Sequence, residues 1–429
     1  MAPRAAARSA ATSPLGWLRA DRSSRSRKRP VEYSILYTAT LCLLAFGAVM
    51  VYSASSAESL LSSGDASYYL KRYVMFGVVG LVVMHAASRH GLKAIRAMTP
   101  VLLLASFGLT IATMLPGLGV TVNGATRWLG AGAFQFQPSE LLKVSLVLYA
   151  AQVLAARPRQ TKTLGGLIKP LLIVVALGCL LLLKQPDMGT AMVICLAIGT
   201  LLVAAGTPLR VLGTILGTLA ALAIIVALAE PYRRARLTSF LDPFADPGDS
   251  GFQAVQALTA IGSGGFFGVG LGESVQKIFY LPEAHTDMIL AILGEELGLI
   301  GILGAIGLYG MIGYGGLRAA KLARDLYSKL LAAGITTLIL CQATLNFFAV
   351  LGMAPLTGVP LPFLSYGSTN LIVMMGAMGL LLNVAATGGL GRRRLGRPLL
   401  EAIDGGGDGQ DRDRRRRDGG ARRARAGGR

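Results

Sequence analysis

Leu281 to Gly298, LPEAHTDMILAILGEELG, joins two kinds of sequence that seldom meet. Its first seven residues include Glu283, His285, Thr286 and Asp287, and the rest opens an apolar run from Met288 to Tyr314. That run exceeds the ~20 apolar residues a helix needs to cross the hydrocarbon core of a bilayer. Glu295 and Glu296 lie inside it, although an ionised side chain at membrane depth costs about 2.5–3.5 kcal/mol on insertion scales. One residue, Thr286 or Asp287, is enough to cap the helix. Four polar residues together exceed that need, so the stretch is read as a functional site, with the two glutamates paired to neighbouring helices.

The surrounding chain is that of a membrane protein. Of 429 residues, 53% are hydrophobic and 15% charged. Besides the run just described, apolar runs occupy 34–52, 72–88, 97–116, 139–156, 168–184, 188–206, 210–229, 328–352 and 367–390, and the reference stretch extends over 287–316. The fold class expected is therefore an all-α integral membrane protein of about ten transmembrane helices. The net charge of +20 could suggest nucleic acid, but 8 of the 42 Lys and Arg precede Ser34 and 13 follow Leu390. Such tails read as topology anchors that also attract anionic membrane lipids, with no nucleic acid involved. Residues 1–33 and 391–429 are expected as disordered basic cytoplasmic tails around a membrane domain at 34–390. The first run is too long for a signal peptide and is read as a retained span. Short loops assigned to the inside carry 11 basic residues, against 8 over the much longer outer loops. Both termini are then cytoplasmic, and the LPEAHTD stretch faces outward.

The four cysteines all fall in apolar runs, and neither HExxH nor CxxC occurs. No metal site, disulfide framework or cofactor is evident, although a divalent cation is left open as a counter-charge. One long outer loop, 230–286, separates the seventh and eighth spans. It opens on Arg233, Arg234 and Arg236. Phe252, Val255, Leu258 and Ile261 then recur at near-helical spacing, which predicts a short helix along the membrane surface. Six glycines fill 262–272, read as a loop whose backbone can approach a ligand.

Further polar residues cluster on the same outer side. Glu140 and Lys143, three apart near the start of a span, share a helix face. They are either an ion pair with Lys143 reaching outward, or a buried cation awaiting an anion. Arg127 beside Trp128 suits a membrane anchor, and Asp187 after Lys184-Gln185-Pro186 suits an N-cap. Pro355–Asn370 region backbone, APLTGVPLPFLSYGSTN from Ala354, must pack in protein or line a wet cavity. Asp287, Lys143, Arg127 and Lys277 would ring a cavity for an anionic, lipid-linked substrate. Ala291 and Gly294, on the face below Asp287, would leave room for a groove.

Ser250 to Gly298, with Gly270-Leu271-Gly272, Ser274-Val275-Gln276-Lys277 and Leu281 to Asp287, resembles the SEDS family (shape, elongation, division, sporulation). Arg127-Trp128-Leu129, Gln137 to Glu140, Lys184 to Thr190 and Ser365-Tyr366-Gly367 extend the resemblance over about 31–390. SVQKIFYLPEAHTD is closer to the division-site branch than to the elongation branch. The resemblance implies ten spans and a glycosyltransferase of the bacterial cytoplasmic membrane that polymerises lipid II into glycan strands. It also implies a class B penicillin-binding protein and other division proteins as partners. Asp287 falls on the family's catalytic aspartate. Glu140, Lys143 and Asp187 fall on polar cavity positions, while Arg127, Lys277 and His285 are candidate substrate-binding residues. Met288 and Leu290 stand where phenylalanines are frequent, and Ser368 replaces a glycine. A lipid-precursor flippase, or a scaffold activating a partner transpeptidase, is the alternative.

Overall fold

The computed structural model describes residues 30–122, 124–131, 134–229, 239–249, 251–278 and 280–395. Most of both basic tails, and Arg233, Arg234 and Arg236, lie outside the described residues. Every apolar run is helical. The chain forms α1 (Val31–Ser63), α2 (Tyr68–Arg89), α3 (Leu92–Ala112), α4 (Pro138–Ala156), α5 (Leu164–Lys184), α6 (Met188–Ala204) and α7 (Leu209–Ala229). After the long loop, which carries α8 (Phe252–Gly264), come α9 (Ile289–Leu322), α10 (Leu326–Val350) and α11 (Ser368–Leu395). Among the described residues, eight helices are long and apolar enough to cross a membrane, while the apolar segments Met188–Ala204 and Leu209–Leu222 are shorter. α1 begins at Val31, directly after Pro30, and α11 runs to Leu395, so both extend beyond the expected domain limits of 34 and 390.

Packing follows the content of each run. In α10 and α11 about three quarters of the apolar window is buried, so these two helices with α4 and α9 form the centre. In α2, α3 and α5 less than a third is buried, leaving Val78, Val82, Val101 and Leu104 exposed as a surface suited to lipid. Close approach at the centre depends on small residues: a Cβ on Gly316 would lie 2.1 Å from Thr336 Oγ1.

One small sheet accompanies the expected helices. Between α3 and α4 lies an antiparallel sheet of β1 (Gly119–Val122), β2 (Ala125–Ala131) and β3 (Phe134–Phe136), in that order. Val122 pairs with Ala125, and Gly124 just before Ala125 has φ +75°. An Asn-Gly pair is the strongest short-range hairpin signal, because both central positions of a tight primed turn need positive φ.

Between α10 and α11 the irregular segment 351–367 is held by the helices around it. Asn346 donates to Val359 O at 2.8 Å, Gln342 to Pro360 O at 2.8 Å and Tyr309 to Pro362 O at 2.6 Å. Tyr73 donates to Phe363 O. Carbonyls without a helical partner are thus satisfied inside the protein, as backbone near a membrane requires.

Candidate active site

Asp287 sits two residues before α9, in a turn built on Glu283. Thr286 and Met288 donate their backbone N–H groups to Glu283 O at 3.1 and 3.2 Å. Glu283 has φ +57°, a conformation costing a non-glycine residue roughly 1–2 kcal/mol. The Thr286 hydroxyl lies 2.7 Å from Glu283 Oε2 and 3.2 Å from Asp287 Oδ1. The N-cap of α9 is Met288, whose side chain makes no cap bond. The half-buried Asp287 carboxylate faces the 351–367 segment: a Cβ on Gly358 would lie 3.8 Å from Oδ2.

His285 is buried beside this turn. Its ring centroid lies 4.2 Å from that of Tyr69 and 5.6 Å from that of Tyr366, and Nδ1 is 3.5 Å from Glu58 Oε2. Burial lowers the imidazole pKa, opposed by Glu58 and Glu283. The Tyr366 N–H donates to His285 O at 3.0 Å, locking the turn to the start of α11. Arg72, one of the outer-loop charges, lies over the Tyr68 ring at 5.0 Å. Its Nη2 is buried without a hydrogen-bond partner among the described residues.

The three cations expected around one rim each have protein partners. Lys143 is fully buried, with Nζ 2.9 Å from Glu140 Oε1 and 2.8 Å from Gln342 Oε1. It therefore does not reach outward. Proline at the first turn of α4 and glutamate at its third residue suit a helix start, which places both side chains facing α10. Arg127, on β2, donates to Gln185 O at 2.9 Å and to Pro186 O, clamping the α5–α6 turn. Asp187 caps α6, accepting from Thr190 N at 3.2 Å, while its Oδ2 is buried without a partner among the described residues.

Lys277 is buried against Glu296 at 2.9 Å, and it also reaches Gly272 O at 2.6 Å and Ser53 Oγ at 3.3 Å. Glu295 accepts from Ser274 Oγ and from Val275 N at 3.0 Å. The deep glutamates therefore do pair, and they hold the glycine-rich loop to α9. At Gly264 and Gly268 the backbone these glycines bring close is that of α9, whereas Gly262, Gly265 and Gly272 have open space around them. Gly298 breaks α9 with φ +64°, and a Cβ on Gly268 would lie 2.1 Å from Glu296 O. Likewise α8 turns Ala257, Ala260 and Gly264 inward rather than its larger apolar residues. The space below Asp287 is filled by α8, since Gly264 meets Gly294 O and Ile261 adjoins Gly294. Ser368, the glycine replacement, opens α11 and donates to Gln135 O at 3.3 Å.

Two clefts flank this region. One of ≈510 Å³ lies between the sheet and the α5–α6 turn, and one of ≈470 Å³ lies between α1 and the 271–278 loop. Asp287 lines neither of them. Among the described residues, no three His, Cys, Asp or Glu side chains gather as a metal ion would need.

The fold and this cluster define a polytopic helical membrane protein with a carboxylate at the edge of its central helices. Residues 34–388 match the model of the cell cycle protein family FtsW/RodA/SpoVE, and the chain belongs to that family. It is 44% identical over 354 residues to "Probable peptidoglycan glycosyltransferase FtsW" of Thioalkalivibrio sulfidiphilus, covering 81% of this chain and 88% of the relative. It is 38% identical over 358 residues to "Stage V sporulation protein E" of Bacillus subtilis, covering 82% and 96%. A solved chain described under "Structural coordination of polymerization and crosslinking by a peptidoglycan synthase complex" superposes with a TM-score of 0.67 at 28% identity, covering 82% and 96%. The Rod shape determining protein RodA of Thermus thermophilus gives 0.60 at 26%, covering 82% and 95%.

Proposed function

We propose that this chain is a peptidoglycan glycosyltransferase that polymerises lipid II at the outer face of the bacterial cytoplasmic membrane during division. The observation that carries the reading is the half-buried Asp287 carboxylate, set on a strained turn against the irregular 351–367 segment. The family membership and the names of its relatives supply the reaction class. Asp287 takes the proton of an acceptor sugar hydroxyl as that oxygen attacks the anomeric carbon of the lipid-linked donor. The bond from that carbon to the pyrophosphate breaks, and the lipid pyrophosphate leaves with the electron pair. A positioned base of this kind contributes about 10²–10⁴ in rate. Pyrophosphate is a good leaving group without protonation, so a glycosidase-style second carboxylate is not required.

The departing charge needs cations. Lys143 already serves Glu140 and Gln342, and Lys277 serves Glu296. Arg72, which interacts with Tyr366 and whose Nη2 has no hydrogen-bond partner among the described residues, is the side chain we assign to the pyrophosphate. A class B penicillin-binding protein is the partner that would cross-link the strands, and the septum is the site of action.

Fluorescent lipid II in liposomes containing the purified protein tests the reading. Glycan chains are the expected product. Movement of label between leaflets without chains would replace the polymerase with a transporter. Neither chains nor movement, even with the transpeptidase partner present, would leave a scaffold.

A further inference from the structure

Asn346 lies near the end of α10, 59 residues from Asp287 in sequence, and is 2% exposed. Its Nδ2 donates to the backbone carbonyl of Asp287 at 2.7 Å and to that of Val359 at 2.8 Å. Both neighbours are carbonyl oxygens, which only accept, so the amide orientation follows from the network: the nitrogen faces them and Oδ1 faces away. Oδ1 is buried and has no hydrogen-bond partner among the described residues. A buried acceptor left unpaired costs free energy, so asparagine is a poor choice for packing alone at this position. Its two donors are what the position uses.

Those donors join the two pieces of irregular backbone that enclose the Asp287 carboxylate. On one side is the turn on Glu283, ending at an α9 terminus without a side-chain cap. On the other is the 351–367 segment, whose Gly358 backbone adjoins Asp287 Oδ2. Holding one carbonyl of each, Asn346 sets the separation of carboxylate and wall from the rigid scaffold of α10. Gln342, one turn below, is spent differently: it binds Pro360 O and receives Lys143, so the buried ion pair underlies the same wall.

We infer that Asn346 is a positioning residue for Asp287, acting through the Asp287 peptide and not by touching substrate. The inference rests on the assignment of Asp287 as general base. A displacement of about 1 Å of a catalytic group can cost roughly 10²-fold in rate. Removing the two donors should therefore act on turnover and leave substrate affinity alone.

The test measures lipid II polymerisation by full-length protein for Asn346→Leu, Asp287→Asn and the double variant, with thermal unfolding of each. Asn346→Leu should lose about 10- to 100-fold in kcat, with KM within about twofold of wild type. In the Asp287→Asn background the same change should cause no further loss, because there is no base left to place. Should Asn346→Leu fail to purify, Asn346→Asp, which keeps the volume but replaces the N–H donors, carries the same expectation. Unchanged kcat in the folded Asn346 variant, with Asp287→Asn slowed about 10²–10⁴-fold, would overturn the positioning role and leave the base intact. A further loss in the double variant equal to that in the single would reduce Asn346 to general structure. An Asp287→Asn as active as wild type would remove the base itself and the inference with it.

Discussion

Lys143→Met should destabilise the protein far more than the paired change Glu140→Gln with Lys143→Met. Lys143 is fully buried and Glu140 2% exposed, with 2.9 Å between charged atoms, so neither charge has water to fall back on. Removing one partner of such a pair leaves a bare buried charge and costs about 3–5 kcal/mol. Replacing both removes the charge altogether. What remains is Gln342 Oε1, which loses the donor now 2.8 Å away, a loss of roughly 1–3 kcal/mol that the Lys143→Met single variant bears equally. Independent sites would make the double change cost the sum of the singles; the geometry instead predicts a double variant more stable than Lys143→Met by at least ~2 kcal/mol. Unfolding by SDS titration in mixed micelles reads these differences. A double variant as unstable as the sum of its parts would refute the isolated-pair reasoning. A Lys143→Met protein as stable as wild type would show that Lys143 is not neutralising Glu140.

His285 gives a pH signature. Burial holds its pKa below the ordinary ~6.5, so the unfolded chain binds more protons in that range and stability falls as pH drops below about 6.5. His285→Gln should flatten this slope in thermal unfolding between pH 7 and 5; an unaltered slope would assign it elsewhere. Gly268→Ala should destabilise well beyond the ~1–2 kcal/mol that positive φ alone costs, because its Cβ meets Glu296 O at 2.1 Å. Gly272→Ala, with φ +88° and open space around it, should show the conformational cost only. For topology, cysteine at exposed Gly248 should react with an impermeant thiol reagent added to intact cells, and cysteine at exposed Arg324 should not. Reaction at Arg324 would invert the orientation inferred from the loop charges.

The helices were legible because apolar runs of this length have one common solution in a bilayer, backbone satisfied within the segment. Pairing of Glu295 and Glu296 was legible for the same reason: a buried charge demands a partner. Which partner was not. Ser274 and Lys277 come from a loop whose path depends on glycines meeting the α9 backbone. Counting cations on the outer side overstated the free charge, because burial of Lys143 and Lys277 depends on neighbours far away in sequence. The β1–β2 hairpin carried its Asn-Gly signal openly but was obscured by the apolar context. The support of the 351–367 carbonyls by Tyr73, Tyr309, Gln342 and Asn346 had no local pattern at all. Each is a polar residue in a largely apolar helix, Gln342 and Asn346 one turn apart on α10, and only the packing of α2, α9 and α10 brings them together.

The central claim is that Asp287 is the base, and two neighbouring carboxylates make the comparison direct. Asp287→Asn keeps the size of the side chain and leaves the backbone carbonyl that Asn346 holds. Glu283→Gln removes the exposed carboxylate of the same turn. Both proteins, purified and matched for folding, are given lipid II and the glycan product is measured. The account predicts polymerisation cut by about 10²–10⁴-fold, yet measurable, in Asp287→Asn and substantial polymer from Glu283→Gln. Near-normal polymer from Asp287→Asn with none from Glu283→Gln would contradict it and move the base to Glu283.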